Sequence, residues 1–600
     1  MIKSRNPGVI FDTQGIATVT VWAPNAQTVA LYITGRKTYL PMEKAEPGYW
    51  ELLTGQIKPG DTYHYFLNGD KELPDPASLA QPDGVHGASE AVDLHDFNWT
   101  DDSWGNLPQE DYIIYELHTG TFSPQGNFGG IKAKLDYLKD LGITAIEIMP
   151  VAQFSGERNW GYDGVFPYAV QSSYGGAKGL MQLVNACHQK GIAVVLDVVY
   201  NHIGPEGNYL GEYGKYFTSK YNTPWGDAIN FDDEWCDAVR NYYVQNALMW
   251  FRDFHIDALR LDAVHAIKDF STRHILQQIK ENVNELSINT GKPYCLMVEL
   301  DLNDPKFIDP IKKCGYGMDA QWIDEFHHAL RVTAGGERDG YYADFNGIAD
   351  LAKSYCDAYV YNGIYSPHRL KTFGAKAQDN PGKQFIAFSQ NHDQVGNRML
   401  GERSSQLFSF EMQKLMAGAV LVSPYLPLLF MGEEWSAQTP FQFFVSHSDP
   451  ELIEAVRKGR KAEFAAFHAE GEAPDPQAEE TFNRSKLNWD ELNNDDSRKL
   501  LDYYKALIAL RKQLPALSKP DRENLSVTVM ESQQILALER KYEDQKVCCI
   551  MNFSAEEQQI NIDDKADWKE IFNSADKRWN GPGISETGIQ PQSIIIYNHV

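Results

Sequence analysis

From Tyr112 onward the chain repeats one phrase: a short apolar run, a loop, then apolar residues at helical spacing. Tyr112-Ile-Ile-Tyr-Glu-Leu117 opens it, followed by Ile131, Leu135 and Leu138 on one helix face. Gly142 supplies a left-handed stop before the next run, Ala145-Ile-Glu-Ile-Met149. Leu180, Leu183 and Cys187 repeat the helix face, Gly191 the stop, and Ile192-Ala-Val-Val-Leu196 the strand. A third face, Val239, Tyr243, Ala247, Trp250 and Phe254, leads into Ala258-Leu-Arg-Leu261. Four later runs, Cys295-Leu-Met-Val298, Ala320-Gln-Trp-Ile323, Phe385-Ile-Ala-Phe388 and Leu426-Pro-Leu-Leu-Phe430, bring the strands to eight. Apolar strands separated by helices suit a parallel sheet covered on both faces. No Gly-rich nucleotide turn follows the first strand, so a closed (β/α)8 TIM barrel fits better than an open sheet.

At 600 residues the chain exceeds a single core, and its patterning divides it in three. Residues 1–98 carry short alternating runs, such as Ala17-Thr-Val-Thr-Val-Trp22, between Asn, Gly and Pro turns, and read as a small all-β domain. The turn-rich stretch from Pro74 to Gly87 is expected at the domain junction, and 99–110 is a polar linker. The barrel takes 99–520, with an Ala-, Glu-, Pro- and Phe-rich excursion at about 438–490 before a last helix around Leu500 to Leu510. From 521 to 600 alternation returns in Ser526-Val-Thr-Val-Met530, Val547-Cys-Cys-Ile-Met551, Gln559-Ile-Asn-Ile562 and Ile594-Ile-Ile-Tyr597, a C-terminal antiparallel β domain.

A formal charge of −27 disfavours nucleic acid and anionic membranes as partners and favours a neutral small molecule or polysaccharide. Seven scattered Cys without a CxxC argue against a disulfide framework or a zinc site. The opening residues lack an apolar h-region, and the longest apolar run, from Met416 to Phe430, is broken by Pro424 and Pro427. A cytoplasmic location is therefore expected.

The chemistry gathers at strand ends, where a parallel barrel places it. Four clusters stand there: Asp197-Val-Val-Tyr-Asn-His202, Arg260 with Asp262, Val298-Glu299, and Asn391-His-Asp393. Carboxylates from different strands, in different environments, are what glycoside hydrolysis requires. A guanidinium beside one keeps it ionised, whereas a neutral acid needs a less charged setting. None of these residues has metal-ligand spacing and no phosphate loop is present, so no metal or other cofactor is expected.

In this order the four clusters resemble the signature regions of the α-amylase superfamily of retaining α-glucan enzymes, over about residues 1–520. Trp22-Ala-Pro-Asn25 and Tyr63-His-Tyr-Phe66 likewise resemble the immunoglobulin-like module that precedes the barrel in glycogen-branching and related enzymes, which implies an N-terminal β-sandwich over 1–98. The resemblance implies Asp262 as nucleophile, Glu299 as general acid/base and Asp393 as the carboxylate that binds the sugar hydroxyls. It implies that Arg260, His202 and His392 support the reacting glucose and that Tyr162 stacks on it.

Trp160-Gly-Tyr-Asp-Gly-Val165, Asn201-His-Ile-Gly-Pro-Glu-Gly-Asn-Tyr209, Asp324-Glu-Phe-His-His328 and Asn391-His-Asp-Gln-Val-Gly-Asn-Arg398 are most similar to the branch acting on maltooligosyl trehalose. That substrate or a related α-glucan is the expected partner, with Trp225, His265, Asp301 and Asn303 as candidates for the leaving-group side. Val298-Glu-Leu-Asp301 departs from the pattern, carrying Leu300 where a smaller polar residue is expected. A glycogen-branching enzyme shares the first module and Trp-Gly-Tyr-Asp but not the Asn391–Arg398 stretch. A plain α-amylase would usually carry calcium loops. A non-catalytic glycan-binding barrel would be expected to have lost one of Asp262, Glu299 and Asp393.

Overall fold

The computed structural model describes residues 6–466, 473–560 and 567–599, and the eight apolar runs form one closed parallel barrel. Its strands are β1 (Ile114–Leu117), β2 (Ala145–Ile148), β3 (Ala193–Val198) and β4 (Ala258–Leu261). They continue as β5 (Cys295–Val298), β6 (Ala320–Trp322), β7 (Phe385–Phe388) and β8 (Leu426–Phe430). β8 closes the ring on β1, with Glu116 opposite Phe430.

Strand alternation decides what fills the barrel. Ile114, Ala145, Val195, Ala258, Met297 and Trp322 belong to a buried cluster separate from the larger core under the helices. Two residues further along each of the first five strands the same face carries Glu116, Glu147, Asp197, Arg260 and Glu299. An apolar plug thus floors a charged layer.

The N-terminal unit is two antiparallel sheets sharing Val19, Val21, Leu31, Tyr63 and Tyr65 as core. The stretch from Pro74 to Gly87 does lie across the junction. Tyr213 Oη donates to Pro74 O (2.8 Å), Tyr242 Oη donates to Pro76 O (2.7 Å), and His86 Nδ1 pairs with Tyr209 Oη (2.7 Å). Gly207 takes φ +85°, and a Cβ there would sit 2.5 Å from Val85, so both its conformation and its contact need glycine. At the other end of the chain a five-stranded antiparallel sheet runs from Leu525–Met530 to Ser593–His599. Arg540, buried in it, donates to the carbonyls of Val422, Ser423 and Leu517 on the barrel side. Of the run expected at 559–562, Gln558–Gln559 is strand and 561–562 fall outside the described residues. The excursion holds helices Pro450–Ala466 and Glu479–Arg484, and the last barrel helix is Asp495–Gln513.

The polar linker is anchored to the barrel, which its composition did not suggest. His188 lies between Asp101 Oδ2 (2.7 Å) and Asp257 Oδ2 (2.9 Å), all three side chains buried. Trp104 stacks on the imidazole at 4.8 Å and donates to Asp257 Oδ1 (2.7 Å). Burial alone would lower the His188 pKa, but the bonds and charges of Asp101 and Asp257 raise it. A raised folded-state pKa gives stability that is complete below the unfolded value and is lost as pH rises through the folded one. His188→Gln is therefore expected to cost about 2–3 kcal/mol near pH 6. Urea midpoints of both proteins should converge as pH rises; a constant gap contradicts the assignment.

Among the described residues no helix is long and apolar enough to cross a membrane, and all seven cysteines are free.

Candidate active site

Arg260 is the hub of the charged layer. Its side chain is fully buried, and its guanidinium carbon lies 4.3 Å from the centroid of the Trp322 ring. Nη1 donates to Asp197 Oδ2 and to Asp262 Oδ1, both at 2.8 Å, while Nη2 stands 3.7 Å from Glu299 Oε2. Asp262 also receives the Asn201 amide (3.0 Å), so both of its oxygens are held. Burial lifts the Asp197 carboxyl to about 6 in spite of Arg260.

Glu299 sits in a different setting on the neighbouring strand. Burial pushes its pKa well above the usual carboxylate range; Arg260 opposes this, and Asp262, Asp324 and Asp393 add to it. Its Oε2 accepts the Ala263 N–H (2.7 Å). That residue, directly after Asp262, takes φ +42°, a left-handed conformation that costs a non-glycine residue of order 1 kcal/mol or more. The strain at the β4 end thus ties the two carboxyls together.

The loop after β7 brings the third carboxyl. Asn391 caps the short helix His392–Gly396, its Oδ1 accepting from Asp393 N (2.9 Å) and Gln394 N (3.2 Å). Asp393 is partly open to solvent, with His392 Nε2 3.5 Å from its Oδ1. Tyr162 Oη donates to Asp197 Oδ2 (2.7 Å) and lies 2.8 Å from His392 Nε2, and the two rings stack at 5.3 Å.

A cavity of about 1190 Å³ opens over this cluster, lined among others by Tyr162, His202, Asp262, Glu299, Trp322 and Asp393. Arg260 and His392 lie behind that wall, buried at 0% and 1% exposure. The four leaving-group candidates line the same cavity. Trp225, half exposed at the tip of the hairpin formed by Phe217–Thr223 and Gly226–Ile229, stacks face to face on His202 at 4.3 Å. His265 Nε2 stands 3.8 Å from Asp301 Oδ1. Asn303 is buried, and its amide is spent on the Tyr361 carbonyl (2.9 Å), which leaves it less to offer a ligand. Leu300 is buried against the same space.

Sequence reasoning missed Glu116, Glu147 and Asp324. The first two stand in otherwise apolar strands, at the alternation step occupied by Asp197 and Arg260 on β3 and β4, and that shared step was the available signal. Asp324 begins the helix Asp324–Thr333, lines the cavity and is raised by burial to about 7. Among the described residues no group of three or more His, Cys, Asp or Glu side chains is arranged to hold a metal ion.

Three domain families match in chain order. Carbohydrate-binding module 48 (isoamylase N-terminal domain) covers 8–80, the alpha amylase catalytic domain 95–233, and the alpha amylase C-terminal all-beta domain 528–598. With the closed barrel and its mouth cluster they define an α-amylase-type barrel protein. A malto-oligosyltrehalose trehalohydrolase of Saccharolobus solfataricus is 48% identical over 506 residues, 84% of this chain and 87% of its own. One from Arthrobacter ramosus is 44% identical over 524 residues, covering 87% and 90%. The chain belongs to the malto-oligosyltrehalose trehalohydrolase family. A solved structure from Salmonella typhimurium, 36% identical, superposes with a TM-score of 0.91 over 99% of this chain and all of that one.

Proposed function

We propose that the protein hydrolyses the α-1,4 bond next to the terminal trehalose of a maltooligosyl trehalose, releasing trehalose and a maltooligosaccharide. The observation that carries the chemistry is the contrast between Asp262 and Glu299 around one buried guanidinium. Asp262, paired with Arg260, is the nucleophile on the anomeric carbon. Glu299, neutral by burial, protonates the leaving trehalose oxygen. Because its Oε2 receives the Ala263 N–H, the proton is assigned to Oε1. Glu299 then takes a proton from water as the water opens the glycosyl–Asp262 ester. Asp393 holds the sugar hydroxyls, His202, His392 and Arg260 support the ring, and Tyr162 stacks on it. Trp225, His265, Asp301 and Asn303 are assigned to the trehalose side, the first three having groups free to meet a ligand. Seven free cysteines support a cytoplasmic site of action.

Two displacements at one carbon retain configuration, so the first maltooligosaccharide seen by NMR is expected as the α-anomer. A β-anomer formed first would remove Asp262 from its role.

Selectivity is the decisive test. A site whose polar groups are satisfied by one ligand and stranded by another discriminates by a few kcal/mol. Maltotriosyl trehalose is therefore expected to give maltotriose and free trehalose, with kcat/KM roughly ten-fold or more above that for maltopentaose. Equal values in paired chromatographic assays would mean an ordinary amylase, and new branch points in amylose a branching enzyme.

A further inference from the structure

We infer that Glu116, buried beneath the reacting groups and outside the lining of the cavity, is a positioning residue that holds His392 doubly protonated. The inference starts from the groups that meet the two edges of the ring. Glu116 Oε1 faces His392 Nδ1 and its Oε2 accepts the His392 backbone N–H (3.0 Å). If Oε1 accepts as Oε2 does, Nδ1 is the donor of that pair. At the other edge of the ring, the single proton of Tyr162 Oη goes to Asp197, so Nε2 must donate to Tyr162. An imidazole donating at both nitrogens is an imidazolium.

The surroundings support the charge. Facing His392 are Glu116, Glu147, Asp197 and Arg260 from β1 to β4, His118 and Tyr162 from loops, and Asp393 beside it. Burial lowers the His392 pKa, but Asp393 and Glu116 outweigh it and bring it up to about 9. Glu147, opposite Glu116 in the β1–β2 register, is buried with neither oxygen hydrogen-bonded, a setting in which a carboxyl stays neutral. One more negative charge beside Glu116 is thereby avoided. Five links then run from Glu116 through His392, Tyr162, Asp197 and Arg260 to Asp262. Glu116 sets one end of a chain whose other end is the proposed nucleophile; in this the inference rests on the function proposed above.

The test has two independent readouts. In the wild-type enzyme labelled with ¹⁵N-histidine and assigned with His392→Gln, both His392 ring nitrogens are expected protonated at pH 7.5. A neutral tautomer overturns the inference whether or not the enzyme cleaves maltooligosyl trehalose. In Glu116→Gln the pH at which the His392 ring gives up a proton, followed through the same ¹⁵N resonances, is expected to move down by about one pH unit or more, since the anion that holds the proton is gone. Glu116→Asp, which keeps the charge, should restore part of that shift. A His392 titration that stays in place while kcat falls would make Glu116 merely structural. If Glu116→Gln does not fold, the wild-type resonances decide.

Discussion

Glu299→Gln is expected to lower kcat on maltotriosyl trehalose by roughly 10³–10⁴-fold, the scale of general acid–base catalysis. Substrate affinity and thermal stability should barely change. The glutamine keeps the shape of the side chain and still accepts the Ala263 N–H through its carbonyl oxygen. Burial already disfavours a charge here, so a neutral amide imposes no new desolvation cost. Single-turnover kinetics and calorimetric binding separate the two effects. A variant that kept a tenth of the normal turnover would remove Glu299 from its role.

The second large effect belongs to Arg260. In Arg260→Met the carboxyls of Asp197 and Asp262 lose the cation they share, and that of Glu299 loses the one nearest it. Breaking a buried ion pair from one side costs about 3–5 kcal/mol, because the partner is left uncompensated. Activity should fall below detection, since the proposed nucleophile loses its counter-charge. Arg260→Lys keeps a charge but lacks the planar fork, so it should recover part of the stability and little of the turnover. Denaturant titration with parallel assays distinguishes these outcomes. A stable, active methionine variant would mean that the guanidinium is dispensable.

The barrel was legible because its strands are buried on both faces and therefore read as short apolar runs, as in Phe385-Ile-Ala-Phe388. Asp262, Glu299 and Asp393 were legible because they end or follow such runs. Glu116 and Glu147 were not, since a lone glutamate within a strand fits either an outward or an inward face until closure fixes which residues meet at the axis. The Trp322 ring under Arg260 was hidden for a related reason: β6 reaches β4 only across the barrel interior. The clamp on His188 joins residues 101, 188 and 257, and no local pattern announces a contact over such separations.

The seam between the N-terminal sandwich and the barrel bears on how such enzymes can be recombined. Tyr209 and Tyr213, which meet the stretch from Pro74 to His86, follow His202 by only a few residues, and Trp225 leans on His202 in turn. The sandwich therefore works as a splint for the wall of the cavity that carries His202 and Trp225. A foreign module grafted in its place would bring another surface to Gly207, where Val85 leaves no room for a methyl group. Module and barrel are in that sense one inherited unit, and a chimaera has to carry the seam along with the part it exchanges.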